Sequence, residues 1–167
     1  MTTQAPDHSW GCDITYLRLQ PSWLYLVAIL DWFSRYVVSW ALAATLEVSF
    51  VLEAVGQALR TATPQIWNTD QGSQFTSPQL TTQIAAAGGQ ISMDGKGRAL
   101  DNIFTERLWR SVKYEEVYLA DYGSPRAARQ GITRASGCDN PARPHQARDY
   151  RPPAVRSFAP PSAGRGR

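Results

Sequence analysis

Cysteine is scarce in this chain: Cys12 and Cys138 stand far apart, with no CxxC pair between them. Neither a disulfide framework nor a cysteine zinc site is supported, and a reducing cytoplasm is the simplest setting. Long apolar runs are missing as well. The most apolar stretch, Trp23 to Leu30, stops at Asp31 and Arg35, short of the roughly 18 residues that a membrane span needs. The first residues are polar, so no signal peptide is expected. No internal repeat is visible. Charge is sparse, at 19% of residues, but apolar residues make up 43% of the 167, enough for one folded domain with a real core. The net charge of +3 is unevenly placed: residues 1–100 carry −2 and residues 101–167 carry +5. A basic second half suits a polyanionic partner, and equally a solvated surface with an Arg-rich tail.

The ordered pattern begins at Trp10. Trp10, Cys12, Ile14 and Tyr16 alternate with Asp13, Thr15 and Leu17, which predicts a strand. Trp23 to Asp31 is apolar nearly throughout and predicts a central strand covered on both faces. Arg35 to Ala43 alternates again, and the short links favour an antiparallel meander. From Glu47 to Ala62 the period changes: Val48, Val51, Leu52, Val55, Ala58 and Leu59 mark an amphipathic helix. Gln65 to Thr69 is a short strand delivering Asp70 at its C-terminal end, where ligands collect in open α/β sheets. Ser77-Pro78 starts a second helix reaching Ala87, and Gln90 to Met93 is a fifth strand. Asp101-Asn102 supplies an N-cap for a helix with an apolar stripe of Phe104, Leu108 and Val112, while Glu106, Arg110 and Lys113 occupy another face. A further helix is expected from Pro125 to about Arg134. The resulting division is a disordered N-terminus (1–8), a core (9–151) and a mobile Pro/Arg-rich tail (152–167).

Three acids stand out: Asp13 on the first strand, Asp70 on a turn and Glu106 on a helix, the last two separated by 35 residues. Phosphodiester cleavage needs an activated oxygen nucleophile and neutralisation of charge around phosphorus, which two Mg²⁺ ions roughly 3.5–4 Å apart supply. Mg²⁺ prefers hard oxygen ligands and keeps several waters, so two or three carboxylates suffice. Singly, each acid has a plainer role. Asp70 could be a turn residue, and Glu106 could form a surface ion pair with Arg110. Asp31 reads as a strand-end structural residue paired with Arg35 rather than a ligand.

Taken together, the motifs resemble the integrase catalytic core of bacterial insertion-sequence transposases, the DDE type related to retroviral integrases. The resemblance rests on Asp13-Ile14-Thr15-Tyr16, Leu30-Asp31 with Ser34-Arg35, Thr69-Asp70-Gln71-Gly72-Ser73-Gln74-Phe75, Ser92-Met93, Asp101-Asn102, Glu106-Arg107 with Lys113, and Arg143-Pro144-His145, in the family's order. It implies a ribonuclease H-like α/β fold, a five-stranded mixed sheet flanked by helices. It implies that Asp13, Asp70 and Glu106 are catalytic and hold two Mg²⁺ or Mn²⁺ ions. The implied activity is DNA nicking and strand transfer, with element ends and target DNA as partners and a homo-oligomer assembled on DNA in the bacterial cytoplasm, at the nucleoid. Arg110, Lys113, Gln71 and Gln74 would then contact DNA, and His145 would orient the site. No N-terminal DNA-reading portion of the family's usual kind is recognisable, and residues 131–149 depart from the family pattern. An inactive remnant serving only as a DNA-binding or oligomerisation module is therefore the alternative, and a general ribonuclease H-like nuclease a third reading.

Overall fold

The computed structural model describes residues 5–19, 22–93, 105–110, 112–113 and 122–142, the last eight by backbone alone. The three leading strands are β1 (Ser9–Leu19), β2 (Ser22–Asp31) and β3 (Val37–Ala43). They pair antiparallel, Trp10 opposite Asp31 and Tyr25 opposite Ala43. Helix α1 (Val48–Leu59) leads to β4 (Ile66–Asn68), which pairs parallel with β1 over only three residues, Ser9 to Gly11. Helix α2 (Pro78–Ala86) starts at Ser77, whose hydroxyl accepts from the Leu80 N–H. It leads to β5 (Gln90–Ser92), parallel to β4. The sheet order is β3-β2-β1-β4-β5, a five-stranded mixed sheet. Residues 105–110 form a helical segment, α3, and α4 spans Pro125–Ala142.

Alternation on β1 divides the core. Trp10 and Cys12 join Val27, Ile29, the buried face of α1, and Leu80 and Ile84 of α2 in one cluster. There Trp10 meets Trp67 edge-on, ring centroids 5.4 Å apart, the kind of pair that adds to area burial. Leu17, Leu24, Leu26, Ala28 and Leu42 join Trp109, Val112, Ala128 and Ile132 on the opposite face. Two polar bonds lock helices to β3: Ser39 Oγ donates to the Ala54 carbonyl at 2.7 Å, and Arg129 Nη2 donates to the Leu42 carbonyl at 2.8 Å.

The structure departs from the sequence reading at three places. Residues 5–8, assigned to a disordered N-terminus, form a turn: the Asp7 and His8 carbonyls accept from the Gln65 and Ile66 N–H groups, and the Asp7 carboxylate accepts from Trp10 Nε1 at 3.1 Å. Helix α4 runs eight residues beyond the expected end near Arg134, through Ser136 and Gly137. The buried face of α3 carries Thr105 and Trp109, with Leu108 half-buried, and Val112 is buried just beyond it. Phe104, the Asp101-Asn102 cap, His145 and the tail 152–167 lie outside the described residues.

Candidate functional site

Asp13 belongs to the face of β1 opposite α1, where its neighbours at i±2 are Gly11 and Thr15. A side chain at position 11 is excluded: a Cβ there would sit 2.2 Å from Trp32 Nε1. The Trp32 ring thus lies against bare backbone beside Asp13. Its indole nitrogen is buried without a hydrogen-bond partner among the described residues.

Asp70 is placed by β4. Asn68, the last residue of that strand, donates through Nδ2 to Ser9 Oγ at 2.6 Å and to the Trp10 carbonyl at 3.2 Å. These bonds fix the end of β4 against β1. Two residues later Asp70 is exposed, and its Oδ1 accepts from the Gly72 N–H at 2.8 Å. This is the turn-forming role open to any Asp, and here it also holds the carboxylate in place.

Gly11, Cys12, Asp13, Trp32, Asn68, Thr69, Asp70 and Thr105 line one cavity of about 140 Å³. An adjoining, wider cavity of about 630 Å³ is lined by Glu106, Trp109, Arg110 and Lys113. Thr105 and Glu106 are consecutive, so one turn of α3 faces both spaces. The structure therefore brings Asp13 and Asp70 to one cavity and Glu106 to the next. Among the described residues no three His, Cys, Asp or Glu side chains form one group set to hold a metal ion.

The residue connecting the two cavities was missed by the sequence reading. Trp109 Nε1 donates to Asp13 Oδ2 at 2.8 Å, across 96 positions of chain, while the Ile14 N–H donates to Oδ1 at 2.8 Å. Both carboxylate oxygens are thereby held. Burial pushes the Asp13 carboxyl above its ordinary range; the bonds from Trp109 and Ile14 oppose that rise, and the charges of Asp70 and Glu106 reinforce it. Burial also pushes the Cys12 thiol far up, with Asp13 and Asp70 adding to the effect, so Cys12 stays a neutral core residue.

The donor set fits a hard divalent cation: two carboxylates on a cavity of a few water volumes, a third from the adjoining wall, and, among the described lining residues, no soft ligand but a neutral buried thiol. Asp31, by contrast, is buried and structural. Its Oδ2 accepts from the Ser34 N–H at 3.0 Å and from the Ser34 hydroxyl, and the Arg35 N–H donates to its carbonyl at 2.8 Å. Arg35 itself has φ 65° and donates through Nη1 to the Trp32 carbonyl. Gln71 is exposed and Gln74 half-buried on the Asp70 turn; Arg110 is exposed and Lys113 half-buried.

Comparison with known proteins agrees with this layout. Integrase core domain profiles match residues 3–99 and 87–153. The transposase for insertion sequence element IS904 of Lactococcus lactis is 33% identical over 153 residues, covering 89% of this chain and 60% of that protein. Transposase InsF for insertion sequence IS3A of Escherichia coli is 31% identical over 137 residues, covering 80% and 48%. The chain thus spans about half to three-fifths of the length of these relatives. Among solved structures, the HTLV-2 integrase catalytic core domain in complex with magnesium superposes with a TM-score of 0.74 at 19% identity, over 93% of this chain and 98% of that one. The BIV integrase catalytic core domain gives 0.72 at 16%, over 89% and 92%. The fold is ribonuclease H-like.

Proposed function

The chain belongs to the integrase core domain family, and on that premise we propose that it is the DDE catalytic core of a bacterial insertion-sequence transposase. It nicks DNA at the ends of a mobile element and joins the freed end to target DNA. The observation that carries this reading is the placement of Asp13 and Asp70 on one cavity wall, with Glu106, Arg110 and Lys113 on the next.

In this reading Asp13, Asp70 and Glu106 hold two Mg²⁺ or Mn²⁺ ions. Bound there, the ions would supply charge neutralisation and an acidified oxygen nucleophile. Trp109 and the Ile14 N–H orient Asp13, and the Gly72 N–H orients Asp70. Water attacks phosphorus at the element end, the bond to the 3′ oxygen breaks, and that oxygen leaves as a hydroxyl. The same 3′-hydroxyl then attacks a target phosphodiester, losing its proton and releasing a target 3′-hydroxyl, so phosphodiester number is conserved. Arg110 and Lys113 contact phosphates alongside Glu106, with Gln71 and Gln74 touching DNA from the Asp70 turn. Binding should weaken steeply with salt. We place the protein at the nucleoid in the bacterial cytoplasm, as a homo-oligomer assembled on DNA. No described helix is long and apolar enough to cross a membrane.

The test is nicking and joining of DNA that carries the element ends by the purified chain, with Mg²⁺ or Mn²⁺ against EDTA. Wild type should act only with metal, and Glu106→Gln should fall to background. Equal activity in the variant, or activity in EDTA, removes the assignment. A wild-type chain that binds but never cuts supports the inactive-remnant reading instead.

A further inference from the structure

Most large apolar side chains here are buried, yet Tyr16 is 59% exposed and Trp23 47% exposed. Both stand near the far end of the β1–β2 ribbon, where Tyr16 lies opposite Tyr25 and Arg18 opposite Trp23. Their rings meet edge-on with centroids 5.5 Å apart. A cation caps each: Arg18 Cζ lies 5.7 Å from the Trp23 ring centre, and Lys113 Nζ lies 5.0 Å from that of Tyr16. Lys113 also lines the cavity that contains Glu106. The order along the surface is therefore Glu106, Lys113, Tyr16, Trp23, Arg18. No acid occurs in residues 14–19 or 22–30, so the part of the track that the two strands supply carries no negative side chain.

We infer that Tyr16 and Trp23, flanked by Arg18 and Lys113, form a stacking platform for unpaired DNA bases beside the catalytic site. The inference rests on the transposase reading and adds to it a site for single-stranded DNA. The surface of each ring that its cation leaves exposed is open to a base and the cations offer charge to phosphates, the combination by which single strands are bound without sequence preference. A duplex hides its base faces in the stack and can use only the cations. A cross-strand Arg18–Trp23 pair would by itself stabilise the ribbon, but that role does not require Tyr16 to stay exposed, nor a lysine from α3's end of the chain over its ring. An apolar protein partner would gain little from the two cations at either end of the track.

The experiment measures binding of a fluorescent oligo-dT and of a duplex of equal length in EDTA, so that it stands apart from catalysis. Tyr16→Leu and Trp23→Leu should each weaken oligo-dT binding by roughly 5- to 100-fold, the range for loss of one stacked base, and leave duplex binding within about twofold. Trp23→Phe, which keeps a ring, should retain most of the affinity while losing most of the tryptophan quench expected when oligo-dT binds wild type. Unchanged oligo-dT binding in variants that melt like wild type overturns the inference. Equal loss on both DNA forms also overturns it, and so does self-association lost in Trp23→Leu with DNA binding intact. Because no metal is present, these outcomes are independent of whether Glu106→Gln abolishes cutting.

Discussion

The two faces of β1 are made by alternate residues of one strand, and they differ in kind. On the α1 side, Trp10 and Cys12 are sealed under helices with Trp67, Phe50 and Val51. On the other side the same stretch offers Gly11, a half-buried Asp13 and Thr15, and what fills the space is Trp32 and Trp109. One face is packed for stability; the other spends core positions on a carboxylate and the groups that hold it. A strand can serve both ends because its side-chain period is two, so neither pattern intrudes on the other.

The contrast is sharpest at the tryptophans. Trp67→Ala on the sealed face should cost about 3–5 kcal/mol, the usual loss for a buried aromatic, read by denaturant unfolding. The folded fraction should keep its activity. On the open face, Trp109→Phe, which keeps a ring in the buried position, should cost about 1.5–3 kcal/mol, the worth of one hydrogen bond to a charged group, yet reduce metal-dependent nicking at least tenfold because Asp13 loses its orienting donor. If the two variants lose stability and activity in the same proportion, the two faces are not distinct in role. The smallest effect is electrostatic. With its carboxyl raised above the ordinary value, Asp13 binds its proton more tightly in the folded state than in the unfolded, so its contribution to stability falls as pH rises between those two values. Asp13→Asn should therefore melt slightly higher than wild type at neutral pH, with the gain shrinking as pH falls into the ordinary carboxylate range. A variant that melts lower at neutral pH would mean that the bonds from Trp109 and Ile14 outweigh the burial of the Asp13 charge.

Periodicity carried most of the scaffold. The alternation from Trp10 gave β1 and its two faces, and the three- and four-residue spacing from Val48 gave α1, because both elements bury one side only. Periodicity placed Asp13 on a strand and Asp70 at a strand's end, but singly each reads as a structural or turn residue, and it is the family resemblance that groups them with Glu106. Trp109 could be found neither way. The stripe read from Phe104, Leu108 and Val112 is displaced from the observed Thr105 and Trp109 of α3 and Val112 just beyond it, since at 100° per residue neighbouring stripes share members. A tryptophan at i+3 from the candidate glutamate was the available signal, but its donor role depends on β1 lying opposite, which no local pattern encodes. The length of α4 escaped for another reason. Its first turns are docked by Ala128, Ile132 and the Arg129 bond to Leu42, and the helix continues from that docked nucleus through Gly137 and Pro141, residues whose own propensity points to an earlier end.

The Asn68 side chain, bonded to Ser9 Oγ and the Trp10 carbonyl, has a consequence for how this chain can diverge. It clamps the β1–β4 register at the last paired residue, so the spacing of the two acids is decided upstream of the Asp70 turn. Residues gained or lost after Gly72 would alter what the turn presents to a bound polymer and leave that spacing intact. A single residue gained within Ile66–Asn68 would turn Trp67 out of the core and Asp70 away from Asp13 together.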